Sequence, residues 1–144
     1  MVVVDASVIV STLVDVGREG QWAEAAVADG ILIGPELILV EASNILRRLE
    51  QAGEISQQEA TNAHGDLLQL DMELFPFAPF AERVWALRSN LTSYDAWYVA
   101  LAEEFDCPLI TLDKRLSRAS GPKCEIVIPP WDEREKGVNE SNSH

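Results

Sequence analysis

Cysteine and histidine are almost missing from this chain, with two of each among 144 residues. Cys107 and Cys124 stand in no CxxC pair and beside no histidine, which excludes the usual zinc ligand sets. Both read as reduced thiols in or near strands. His64 falls mid-helix and His144 in the tail, so neither reads as an acid–base catalyst. Basic side chains are scarce as well: 11 Lys and Arg against 24 Asp and Glu leave a net charge of -13. A chain of that sign repels phosphates at long range and is a poor non-specific binder of nucleic acid. A pair of divalent cations would offset less than a third of that excess. No apolar run approaches the roughly twenty residues that span a bilayer. The N-terminus opens directly into a strand-like run, without a basic leader segment. The expectation is a cytoplasmic protein with no membrane partner.

What is present is enough for one domain with a real core. Val2–Val4 reads as a buried strand, and Ser7 as the cap of a helix over 8–14. A short helix over 21–29 and a strand over 31–33 follow. Gly34-Pro35 breaks that strand, with Pro35 in the first turn of a helix over 36–52. Ile38, Ala42, Ile45 and Leu49 recur there at helical spacing. Ser56-Gln57-Gln58-Glu59 matches a capping box and opens a helix to about Leu70. A strand over 73–77 is held to a sheet edge or strand end by Pro76. Helices over 79–89 and from Thr92 or Ser93 to Phe105 precede strands over 108–112 and 125–128. Trp22, Phe75, Phe77, Phe80 and Trp85 read mostly as core. The body spans 1–128, and the polar segment 129–144 is expected to be a mobile tail. Strands alternating with helices imply an α/β fold whose parallel sheet is covered on both faces, with its ligand crevice beyond the carboxyl ends of the strands.

Four carboxylates sit where acids have little structural reason to be. Asp5 ends the apolar run 1–4 and Asp113 ends the run 108–112, so two strands deliver an acid to one sheet edge. Glu41 flanks the apolar stripe of its helix. Asp95 lies between aromatics in the first turn of another, where the helix dipole favours an anion. Each has a plain structural reading: a turn or cap for Asp5 and Asp113, a boundary glutamate for Glu41, a dipole-favoured anion for Asp95. Together they imply a shared pocket, because burying unpartnered carboxylates costs several kcal/mol each. Hard oxygen donors select Mg2+ or Mn2+ rather than zinc.

The segments Val3-Val4-Asp5-Ala6-Ser7, Val40-Glu41-Ala42-Ser43-Asn44-Ile45-Leu46, Tyr94-Asp95-Ala96-Trp97-Tyr98-Val99-Ala100-Leu101-Ala102 and Ile110-Thr111-Leu112-Asp113 resemble, in this order, the acidic motifs of the PIN domain family of the VapC type. The resemblance covers about residues 2–128. It implies a three-layer α/β/α sandwich with a central parallel sheet. It also implies a metal-dependent endoribonuclease, the toxin of a type II toxin–antitoxin pair. Asp5, Glu41, Asp95 and Asp113 would be the catalytic and metal-binding acids, with Ser7, Asn44 and Thr111 as supporting groups. The implied chemistry is attack of a metal-activated water on an RNA phosphodiester, leaving a 5′-phosphate and a 3′-hydroxyl. The implied substrate is an RNA, whether transfer, ribosomal or messenger, since all three would use the same metal chemistry. The implied partners are a VapB-like antitoxin and a second copy in a homodimer. Arg48, two turns past Glu41, and Lys114, Arg115 and Arg118, which follow Asp113, are the candidate contacts to the RNA backbone. The alternative from another class is a non-catalytic PIN-like scaffold that binds RNA or protein. Aspartyl phosphatases and phosphotransfer receivers also place acids at strand ends, but the phosphatase's second acid, two residues after the first, is Ser7 here, and the receiver's early acidic pair is absent.

Overall fold

Val3, Val4, Ile33 and Leu109 are completely buried, and the strands that carry them form the middle of the sheet. The computed structural model describes residues 1–28 and 30–131. Asp29 and residues 132–144 lie outside the described residues, and with them most of the polar segment expected to be mobile. The elements are β1 (Val2–Val4), α1 (Ala6–Val14), α2 (Arg18–Val27), β2 (Leu32–Pro35), α3 (Ile38–Gln51), α4 (Gln57–Gln69), β3 (Met72–Phe75), a 3-10 turn (Ala78–Phe80), α5 (Ala81–Ala86), α6 (Ser93–Glu104), β4 (Leu109–Ile110), α7 (Lys114–Arg118) and β5 (Ile126–Val127).

The sheet order is β3-β2-β1-β4-β5 and every pairing is parallel. From β1 the chain steps outward to β2 and β3, then crosses back to lay β4 on the other side of β1. Right-handed crossovers running in opposite directions place their helices on opposite faces. Accordingly α1 to α4 pack together as one layer, while α6 lies against β1, β2 and β4 with α5 on it. The α/β/α sandwich expected from the sequence is therefore present. Residues 96–102 of α6 are all buried, which explains why that helix is apolar all round rather than striped.

Three local expectations are revised. Asp5, not Ser7, caps α1: its carboxylate accepts the Val8 N–H at 3.1 Å, and Ser7 donates its hydroxyl to the same oxygen at 2.7 Å. Pro35 ends β2 instead of opening α3. The pairing with β1 stops at Val3–Ile33, so the missing Pro35 N–H removes no bond from that ladder, and Glu36 N–H continues the other ladder to Phe75 at 2.9 Å. Phe77 and Trp85 are exposed rather than core, at 42% and 65%. The capping box at Ser56 and Glu59 is formed as expected, and β3 is an edge strand ending just before Pro76. Gly20 allows α2 to approach the end of α1, since a Cβ there would lie 1.9 Å from the Asp15 carbonyl oxygen.

Away from the sheet's carboxyl edge, one ion pair joins three parts of the chain. Arg83 on α5 grips Glu103 on α6 through Nε at 2.7 Å and Nη2 at 3.0 Å, and also donates to the Gly121 carbonyl at 3.0 Å. The Lys123 N–H donates to Glu103 at 2.7 Å. Burial alone would push the Glu103 carboxyl up, but the guanidinium and the amide outweigh it and hold the group below its ordinary value of 4.5. A carboxylate depressed by folding stabilises the fold above its unfolded pKa, and that contribution is lost as pH falls through the folded pKa. Glu103→Gln is therefore expected to cost about 1–2 kcal/mol at neutral pH, with the difference from wild type shrinking towards about pH 3. Urea titrations at the two pH values measure it.

Candidate active site

Strand order reverses between β1 and β4, and an open parallel sheet binds its ligand beyond the strand ends at that point. Asp5 follows β1 directly, and Thr111 and Asp113 follow β4. Thr111 is completely buried. Its hydroxyl donates to Asp5 Oδ2 and accepts the Asp113 N–H at 3.0 Å. Asp5 is thus fixed on both oxygens, by Thr111 on one and by Ser7 and Val8 on the other. Asp113 caps α7 by accepting the Arg115 N–H at 2.9 Å, and the Arg115 guanidinium stands 3.5 Å from the same oxygen.

The other two acids come from the helix layers. Glu41, in the first turn of α3, accepts the Tyr98 hydroxyl at 3.0 Å. Burial, then the Glu41 charge, pushes the Tyr98 phenol far up, so it remains a donor. Asp95 lies in the first turn of α6, where Thr92 accepts its N–H at 3.2 Å.

The four acids act on one another. Burial raises the Asp5 pKa most, with the Asp95 charge adding to it against three hydrogen bonds. Burial raises Glu41, and both Asp5 and Asp95 push it further. Burial and then Asp113 raise Asp95, with Arg115 opposing. Among the described residues no salt bridge reaches Asp5, Glu41 or Asp95. The edge therefore carries negative charge that the described residues leave unneutralised. Among those residues no three Asp, Glu, His or Cys side chains close into a ready metal cluster. Mg2+ suits such an open set, since it binds through one or two carboxylates and keeps several waters. The donor chemistry, all oxygen and mutually repelling, fits a hard divalent cation.

The remaining predicted residues divide. Ser7 and Thr111 touch Asp5. Asn44 is exposed and accepts from Arg47 at 3.5 Å. Arg48 and Arg118 are exposed. Lys114 is engaged elsewhere: its ammonium donates to the Trp131 carbonyl at 2.6 Å, and the Trp131 ring lies 4.1 Å from the Arg18 guanidinium. Only Arg115 stands beside an acid, with its side chain 91% exposed. Sequence reasoning missed Tyr98; its place three residues after Asp95, on an apolar helix, was the available signal.

The sequence profile of the PIN domain matches residues 2–122. The chain belongs to the PIN domain family. This PIN domain is similar to ribonuclease VapC9 of Mycobacterium tuberculosis, 35% identical over 130 residues that span 90% of this chain and 99% of that protein. It is also similar to ribonuclease VapC1 of the same organism, 39% identical over 127 residues, 88% of this chain and 96% of that one. Its fold resembles that of VapBC2 from Rickettsia felis, solved bound to a DNA fragment from their promoter. There the TM-score is 0.62 and the identity 15%, with 92% of this chain and 100% of that one covered.

The Thr111 hydroxyl is what ties the two acid-bearing strand ends of this PIN domain together. Thr111→Val leaves a buried carboxylate oxygen and a buried N–H without their partner. It is expected to destabilise by about 1–3 kcal/mol in urea titrations. Asp95→Asn acts in the opposite direction. A carboxylate raised by folding adds stability that is complete below its ordinary value of 3.8 and lost as pH rises through the folded pKa. In EDTA the variant is expected to melt about 2–4 °C above wild type at neutral pH, the gain disappearing below about pH 4; thermal melts across pH measure it.

Proposed function

We infer that this PIN domain is a divalent-metal-dependent endoribonuclease, the toxin of a toxin–antitoxin pair. The observation that carries the reading is the acidic edge at the switch between β1 and β4, where Asp5, Glu41 and Asp95 have no salt-bridge partner among the described residues, on a fold whose relatives are named ribonucleases. Asp5, Glu41, Asp95 and Asp113 are the groups that would hold Mg2+ or Mn2+. Bound there, the ion supplies an activated water and neutralises charge on the scissile phosphate. The chain's own residues do the rest. Ser7, Val8 and Thr111 hold the Asp5 carboxylate in one orientation, and Tyr98 does so for Glu41. Arg115, projecting from the rim, meets a phosphate oxygen of the incoming strand. Transfer, ribosomal and messenger RNA share this chemistry, with choice among them resting on shape.

An antitoxin of the VapB type is the partner we assign. A groove of about 420 Å³, walled by Val10, Val14, Ile45, Leu49 and Ile55 with Asp15 and Glu54 on it, supports an apolar segment carrying basic residues. Exposed Phe77, just after β3, and exposed Trp85, on α5, support a homodimer. No helix among the described residues is long and apolar enough to cross a membrane, and we assign the cytoplasm as the compartment.

Purified protein is expected to cut RNA with Mn2+ and not with EDTA, giving 5′-phosphate ends. Mn2+ should raise the melting temperature of the wild type. Asp5→Asn is expected to lose both cleavage and the Mn2+-dependent rise while staying folded. Cleavage in EDTA, or an unchanged Mn2+ response in Asp5→Asn, contradicts the metal assignment.

A further inference from the structure

A nuclease with this charge has an unusual binding problem. RNA affinity normally comes from basic side chains on phosphates. Here the net charge is -13, Lys114 is held by the Trp131 carbonyl, and Arg115 is the basic side chain standing at the acids. Contacts that do not depend on charge therefore gain weight in holding a substrate strand. Stacking of bases on aromatic rings is the strongest such contact.

One ring is placed for it. On α6, Tyr94 and Tyr98 are four residues apart, and side chains at that spacing share a helix face. Tyr98 is buried, and its hydroxyl reaches Glu41 at 3.0 Å, so this face looks towards the acids. Side chains in a helix tilt towards its N-terminus, which sets Tyr94 one turn above Tyr98, at the mouth of the site. Tyr94 is 60% exposed, and its side chain makes no hydrogen bond or ring contact with another described residue. It directly precedes Asp95. Across the site on α3, Val40 directly precedes Glu41 and is 63% exposed. Two of the acids thus each have an exposed apolar or aromatic neighbour, neither used by the core.

We propose that Tyr94 is a stacking platform for the base of the nucleotide next to the scissile phosphate, with Val40 as the opposing lip. The inference rests on the ribonuclease reading above. It places the specificity of the site in an unstacked base, because a ring at the crevice mouth has no access to a base inside a duplex.

The test is a cycle of protein and substrate changes. Short single-stranded RNA is cleaved with Mn2+ by the wild type, Tyr94→Phe, Tyr94→Leu and Tyr94→Ala. Each is also given the same RNA with abasic nucleotides on either side of the cleaved bond. Tyr94→Phe is expected to match wild type. Tyr94→Ala is expected to raise KM by about tenfold or more with a small change in kcat, and Tyr94→Leu to fall between. The abasic RNA is expected to lose a similar factor with wild type and almost nothing with Tyr94→Ala. An unchanged Mn2+-induced rise in melting temperature shows that the acids of each variant remain intact. Equal KM for wild type and Tyr94→Ala, or equal losses on the abasic RNA for both, overturns the platform while the ribonuclease reading stands. If the wild type cleaves no RNA with Mn2+, the ribonuclease reading itself falls and takes the platform with it.

Discussion

The buried Thr111 hydroxyl is the joint on which the acidic edge depends. It donates to Asp5 at the end of one strand and accepts from the turn that carries Asp113 at the end of the next. An oxygen fully removed from water holds its partners closely, since the alternative is an unsatisfied polar group in the core. Through this contact two strands remote in sequence present their carboxylates as a unit. The Tyr98–Glu41 bond does the same for the two helix layers. Asp5 and Glu41 are oriented by neutral donors, which fix position without cancelling charge. The negative field of these two acids is therefore left in place, as the proposed metal site requires.

The same economy appears in the few basic residues. Arg83 is used in the Glu103 junction, Lys114 and Arg18 on Trp131, and Arg47 on Asn44. Among the described residues, Arg115 is the basic side chain that leans on the acidic edge, and it leaves most of its length in solvent. A protein organised in this way has little general attraction for nucleic acid and would depend on local fit. That is a coherent arrangement for an enzyme that must ignore most of the RNA around it.

The strand-end acids were legible because an aspartate closing a β-branched run has a definite location: the carboxyl edge of a parallel sheet. Glu41 and Asp95 were legible as breaks in apolar helices. Where reading failed, the deciding contacts were either very local or very distant. Asp5 and Ser7 are both good caps, and composition does not say that the serine hydroxyl would donate to the aspartate and leave it the capping role. Pro35 suits a helix start or the end of a ladder; the register with β1 decided for the strand. Lys114 looks like a free phosphate contact until Trp131, 17 residues on, folds back to receive it. Trp85 carries core composition, but α5 shows only one side to α6, and no periodicity in so short a helix reveals which. Phe77 lies just before the 3-10 turn that leads into α5, with its ring in a T-shaped contact with Trp97 and the rest in solvent.

The sheet order has a consequence for how the protein is made. β1 leaves the ribosome first, yet the neighbour that completes its acid is β4, and the Thr111–Asp5 bond spans 106 positions of the chain. Until that late segment is translated, one side of β1 has no strand to pair with, and Asp5 has only its own helix for company. A nascent or prematurely terminated chain thus lacks the assembled edge altogether. On the ribonuclease reading proposed above, this topology delays assembly of the cutting site until β4 has been made.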